Sequence, residues 1–133
     1  MFKKISLVAL MAVVFANCDI KETNSSSCPV IIGVSTTAVT GPVEAAVNET
    51  VNLEVSYKTK ASCGSFSSFY KNPSVEPLID IITVNTVYDA CACDEVESIK
   101  TQNYAFKKSE AGVYIVKFKK TNEDFIEHTI TVQ

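Results

Sequence analysis

The chain has no tryptophan, no arginine and a single histidine, and it carries only four glycines and four prolines in 133 residues. Without arginine there is no planar fork to grip phosphate or carboxylate in two-point fashion. Fifteen acids against twelve basic residues leave a formal net charge of −3. An acidic chain lacking arginine is poorly suited to nucleic acid or to anionic lipid headgroups, because phosphate affinity comes from cationic contacts. The missing tryptophan and arginine also thin the stock of residues that dominate protein interfaces. Helical periodicity is absent beyond the length of a turn. There is one long apolar run, and it lies at the start.

That run organises the rest. Lys3 and Lys4 precede Ile5 to Ala16, in which every residue but Ser6 is apolar. A helix needs about 20 apolar residues to span a bilayer, so this stretch is too short and reads as the core of an export signal. It ends at Phe15-Ala16-Asn17-Cys18, and polar residues follow at once. This arrangement resembles the signal of bacterial lipoproteins, where a small-residue box precedes a cysteine that is acylated and becomes the mature N-terminus. The resemblance implies a signal over residues 1–17, lipidation at Cys18, and a Ser-rich tether over 18–27. The competing reading is an ordinary secretory signal that leaves Cys18 as a thiol. Cysteine parity favours the first: five cysteines leave one over in an exported chain, whereas removing Cys18 leaves four. Acyl chains contribute roughly 0.8 kcal/mol per buried methylene, and stable anchoring takes two signals. The expected location is a bacterial cell envelope, first of all the outer membrane, with the membrane as one partner.

The 116 residues from Cys18 onward suit one domain. Their ten lysines and fifteen acids give a net charge near −5. Val30 to Val34 reads as a first edge strand, which Val43 to Val47 continues. Thr50 to Lys58 alternates strictly, with Val51, Leu53, Val55 and Tyr57 on one face. Ser65 to Tyr70, Leu78 to Tyr88, Tyr104 to Phe106, Val113 to Lys120 and Phe125 to Val132 follow as strands, separated by turns and by the loops 71–77, 89–97 and 121–124. About seven short strands predict an all-β antiparallel sandwich over residues 28–133. Gly112-Val113-Tyr114 and the phrase Gly41-Pro42…Asn48-Glu49-Thr50-Val51…Leu53…Val55 resemble immunoglobulin-like modules. The resemblance implies a scaffold and no activity.

Cys28, Cys63, Cys91 and Cys93 are expected to form two disulfides. Residues 91 and 93 of an extended segment point the same way, and a bond between them would be strained. Each therefore reaches a different partner; Cys63 with Cys91 and Cys28 with Cys93 is the favoured of two pairings. A metal site from Cys91, Cys93 and His128 with Asp89, Asp94 or Cys63 is the sharper alternative. No four-ligand spacing supports it, so no metal or cofactor is expected. A redox role for Cys91-Ala92-Cys93 ranks below that, for want of a Cys-x-x-Cys spacing.

His128 lies in phase with Ile126, Ile130 and Val132, which predicts a partly buried strand histidine bonded to a neighbour. No serine stands in a Gly-x-Ser-x-Gly setting and no phosphate loop exists. Asp94, Glu95 and Glu97 share one loop, where opposed walls would be needed for glycosidic chemistry. The expectation is a non-catalytic binding or assembly module with a protein or glycan partner. Its binding loops would carry Phe66, Phe69, Tyr70 and Tyr88. A protease inhibitor on a similar scaffold is the alternative from another class.

Overall fold

The structure, a computed structural model, describes residues 28–60, 63–89 and 94–133. Cys18, the 18–27 tether, Cys91 and Cys93 lie outside the described residues. Nine strands follow one another: β1 (Val30–Val34), β2 (Thr36–Thr40), β3 (Glu44–Ala45), β4 (Val51–Thr59), β5 (Gly64–Asn72), β6 (Ile79–Tyr88), β7 (Ser98–Phe106), β8 (Gly112–Lys119) and β9 (Phe125–Val132). They form two sheets. The larger contains β1, β3, β5, β6, β8 and β9; the smaller runs β2-β4-β7.

Alternation drives the packing. In β4, Val51, Leu53, Val55, Tyr57 and Thr59 are buried, whereas Asn52, Glu54 and Lys58 are exposed. In β6, Asp80, Ile82, Val84, Thr86 and Tyr88 face inward. Tyr114, Val116 and Phe118 of β8 and Ile130 and Val132 of β9 complete the inner face of the larger sheet. Leu53, Val55, Ile82, Val84, Val116, Phe118 and Ile130 are wholly shut off from solvent. Burying a side chain of this size stabilises by roughly 1.5–3 kcal/mol. Aromatic rings bridge the layers: Tyr104 of β7 meets Phe69 of β5 at 5.1 Å and Phe118 of β8 at 5.5 Å, both edge-on. That geometry sets positive ring edges against negative faces.

Four expectations are corrected. The described residues form nine strands, not about seven, and the larger sheet is mixed where an antiparallel one was expected. β3 runs parallel to β9, and β6 runs parallel to β8. The 43–47 stretch does not extend the edge begun by β1: β1 lies on β6, and β3 lies beside β9. β7 starts at Ser98, six residues before the expected Tyr104. Its half-buried positions there are Ser98, Lys100 and Gln102, so no apolar alternation marks it. Backbone pairing from Thr59↔Ser98 to Val51↔Phe106 holds it instead. Thr59 Oγ1 bonds to Ser98 Oγ at 2.8 Å, and the Lys100 ammonium donates to the Gly64 carbonyl across the sandwich.

The buried polar groups are mostly partnered, as burial requires. Thr86 donates to the Ile32 carbonyl. Asp80 is 5% exposed and receives Lys71 and Lys108, each at 2.7 Å. Burial alone would raise its carboxyl, but hydrogen bonds and charge from the two lysines outweigh that and hold it below the ordinary carboxylate value. The Tyr104 phenol is pushed up to about 12, first by burial and then by the charge of Asp80. Among the described residues, Thr36 Oγ1 is the buried side-chain atom without a partner. Cys28 and Cys63 are among the described residues, whereas Cys91 and Cys93, expected as their disulfide partners, lie outside them.

Candidate binding site

The mixed sheet leaves a gap in its own middle. β5 pairs with residues 81–88 of β6, and β1 and β8 must therefore lie along the opposite edge of β6. They share that edge end to end. β8 occupies Ile79 to Ile82, ending at Ile82↔Phe118, and β1 occupies Val84 to Tyr88, ending at Val84↔Val34. Thr83 stands between the two strand ends. At that point both neighbours turn away: β1 crosses at Ser35 to become β2 in the other sheet, and β8 enters the 120–124 hairpin loop.

A notch of about 420 Å³ opens where they part. Gly33, Val34, Ser35 and Thr83 line it from β1 and β6, with Lys119, Lys120, Thr121 and Asn122 from the hairpin and Lys60 from the end of β4. The walls are well fixed. Lys58 N–H donates to the Ser35 carbonyl at 2.9 Å, tying the crossing to β4. Lys120 and Thr121 N–H groups both donate to the Asp124 carbonyl, and Asp124 N–H returns a bond of 2.9 Å to Thr121 Oγ1. A Cβ added to Gly33 would stand 3.0 Å from the Thr83 methyl. Any side chain there would crowd the Thr83 wall of the notch.

The notch is basic in an acidic chain. Three lysines line it and no carboxylate does. Among the described residues, Lys60, Lys119 and Lys120 are in no ion pair, while Lys58, Lys71, Lys108 and Lys117 each are. The remaining polar residues of the lining are Ser35, Thr83, Thr121 and Asn122; Thr83 turns its methyl toward Gly33, and its Oγ1 accepts from Asn72 Nδ2 on β5 at 2.8 Å. No aromatic ring lines it, so it offers no stacking platform.

The four aromatics expected to mark binding loops do not share a surface. Phe66 and Phe69 pack against the core from within β5, their ring centroids 4.8 Å apart. A bulge between Phe66 and Ser68 places both on the inner face despite their odd spacing. Tyr88 is 7% exposed, with its ring against Gly64 and its hydroxyl accepting from Lys60 N–H at 3.0 Å. Tyr70 alone faces outward, about half exposed. His128 lies half-buried on β9 with Nε2 at 2.9 Å from the Pro42 carbonyl, a strand histidine bonded to a neighbour.

Compared with protein-family models, curated proteins and solved structures, the chain matches none. Among the described residues, no three histidine, cysteine, aspartate or glutamate side chains are grouped to hold a metal ion, and no helix is long and apolar enough to cross a membrane. Sequence reasoning missed the notch because Lys60 is far along the chain from Lys119 and Lys120. Only the head-to-head meeting of β1 and β8 brings them together. It missed the Asp80 ion pairs although a signal was present: Asp80 shares the parity of Ile82 and Val84, which aims a carboxylate inward.

Proposed function

We propose that the chain is an exported, lipid-anchored protein of the bacterial cell envelope whose domain is a non-catalytic binding or assembly module. The observation that carries this reading is the apolar run from Ile5 to Ala16, closed by Cys18 and followed by a polar tether. Acylation of Cys18 would hold the domain at the membrane, the outer membrane first of all, with residues 18–27 as the spacer. Disulfides at Cys28 and Cys63 would fit an oxidising compartment. Cys63–Cys91 and Cys28–Cys93 is the pairing we propose. The domain is immunoglobulin-like in the broad sense of two packed sheets with an edge strand parallel to the last one; the parallel β6–β8 pair sets it apart.

Intact mass and membrane fractionation of the protein expressed with its own signal test this. The wild type is expected to lose residues 1–17, to gain acyl mass, and to remain with membranes after high-salt washing. Cys18→Ala is expected in the soluble fraction. An unmodified, soluble wild-type chain would overturn the reading, as would a Cys18→Ala protein that stays equally membrane-bound.

A further inference from the structure

We propose that the notch between β1, β6 and the β8–β9 hairpin is a binding site for a phosphate-bearing small molecule, held by Lys60, Lys119 and Lys120. This goes beyond the anchored-module reading and stands whether or not Cys18 is acylated.

Charge supplies the first argument. In a chain of net charge −3, lysines have acids to pair with, and four of them do so. Three others line one concavity that no carboxylate lines, and a bound anion would supply the opposite charge there. The chain has no arginine, so recognition falls to lysine, which binds phosphate as a point charge without two-point geometry.

The neutral lining supplies the second. Ser35, Thr121 and Asn122 of the lining carry hydroxyl and amide donors that can satisfy phosphate oxygens left over by the ammonium groups. With no aromatic wall, a neutral sugar or an apolar ligand would gain little here. Size is the third. About 420 Å³ lies toward the small end of ligand pockets, which span roughly 300–1,000 Å³. It accommodates a diphosphate or a phosphorylated polyol, not an extended polymer. The fixed crossing at Ser35 and the bonded hairpin mean that little ordering is needed on binding.

Phosphate could arrive on a soluble ester or on a lipid headgroup, and two probes separate these sources. The full exported protein is held in neutral detergent micelles with labelled lysine side chains. Inorganic pyrophosphate is titrated in, or phosphatidylglycerol is doped into the micelles. Saturable shifts of the Lys60, Lys119 and Lys120 signals are expected with pyrophosphate, at a Kd of about 1 mM or tighter in low salt. The Lys119→Gln, Lys120→Gln double variant should bind roughly tenfold more weakly. Lys58→Gln, which removes a lysine already paired with Glu97, should bind as the wild type does. A response to phosphatidylglycerol alone would keep the phosphate chemistry and assign it to lipid. Two results overturn the proposal: no saturable shift with either probe, or equal weakening in the Lys58→Gln control, which would mean diffuse charge attraction.

Discussion

Asp80 is the residue on which charge and packing meet. It occupies an inward position of β6, and its carboxylate is neutralised by Lys108, itself one-fifth exposed, and by the more exposed Lys71. Removing one partner of a fully buried ion pair costs about 3–5 kcal/mol. Both lysines here can turn toward water, so Asp80→Asn is expected to cost about 2–3 kcal/mol at neutral pH. The pH dependence has a definite sign. The folded carboxyl titrates below its ordinary value, so the unfolded chain binds the proton more readily. The Asp80 contribution is then complete above the unfolded value of about 3.9 and is lost as pH falls through the lower folded one. Urea unfolding of the wild type and Asp80→Asn should show a stability gap that closes between about pH 5 and pH 2. A gap of the same size at both ends would show that the ion pairs contribute nothing.

At the scale of elements, β5 shows how one residue decides a face. Its bulge inserts one residue between Phe66 and Ser68, and this lets two aromatics three positions apart both reach the core. Deleting Ser67 would restore plain alternation and turn either Phe66 or Phe69 outward. The expected loss is about 3–5 kcal/mol, that of deleting a buried phenylalanine, measured by urea midpoint. Deleting a residue of the exposed 73–78 loop should cost far less, and equal losses would show that the bulge is not what seats the rings. The bulge also explains what was legible in advance. β4, β6, β8 and β9 carry mostly apolar side chains at every second position, and that alternation located them and their inner faces. Phe66 and Phe69 were read as loop anchors because a bulge has no fixed sequence mark. β7 was found only at its Tyr104 end because its first half lies over the sandwich rim, where Ser98, Lys100 and Gln102 are held by hydrogen bonds. The candidate notch was not legible at all. It is set by which strands share an edge of β6, and that is a property of topology.

For the whole molecule, two sheets are joined by aromatic contacts, and the disulfides proposed at Cys28 and Cys63 would staple them further. Cross-links of this kind stabilise by about 2–4 kcal/mol each, largely by limiting the unfolded chain. Reduction should therefore lower the urea midpoint of the protein while leaving the far-ultraviolet β signal of the folded state intact. An unchanged midpoint would mean the cross-links add nothing to a core that is already sufficient. The parallel pairs carry a further consequence. β3 finds its partner only in β9, and the 79–82 end of β6 is completed only by β8, so the larger sheet stays unfinished on that side until the later strands are made. Contacts of such long sequence separation form late and slowly. A chain wired this way closes into its finished sandwich only after the β8–β9 hairpin has been made, so the last strands of the sequence decide when the whole domain locks.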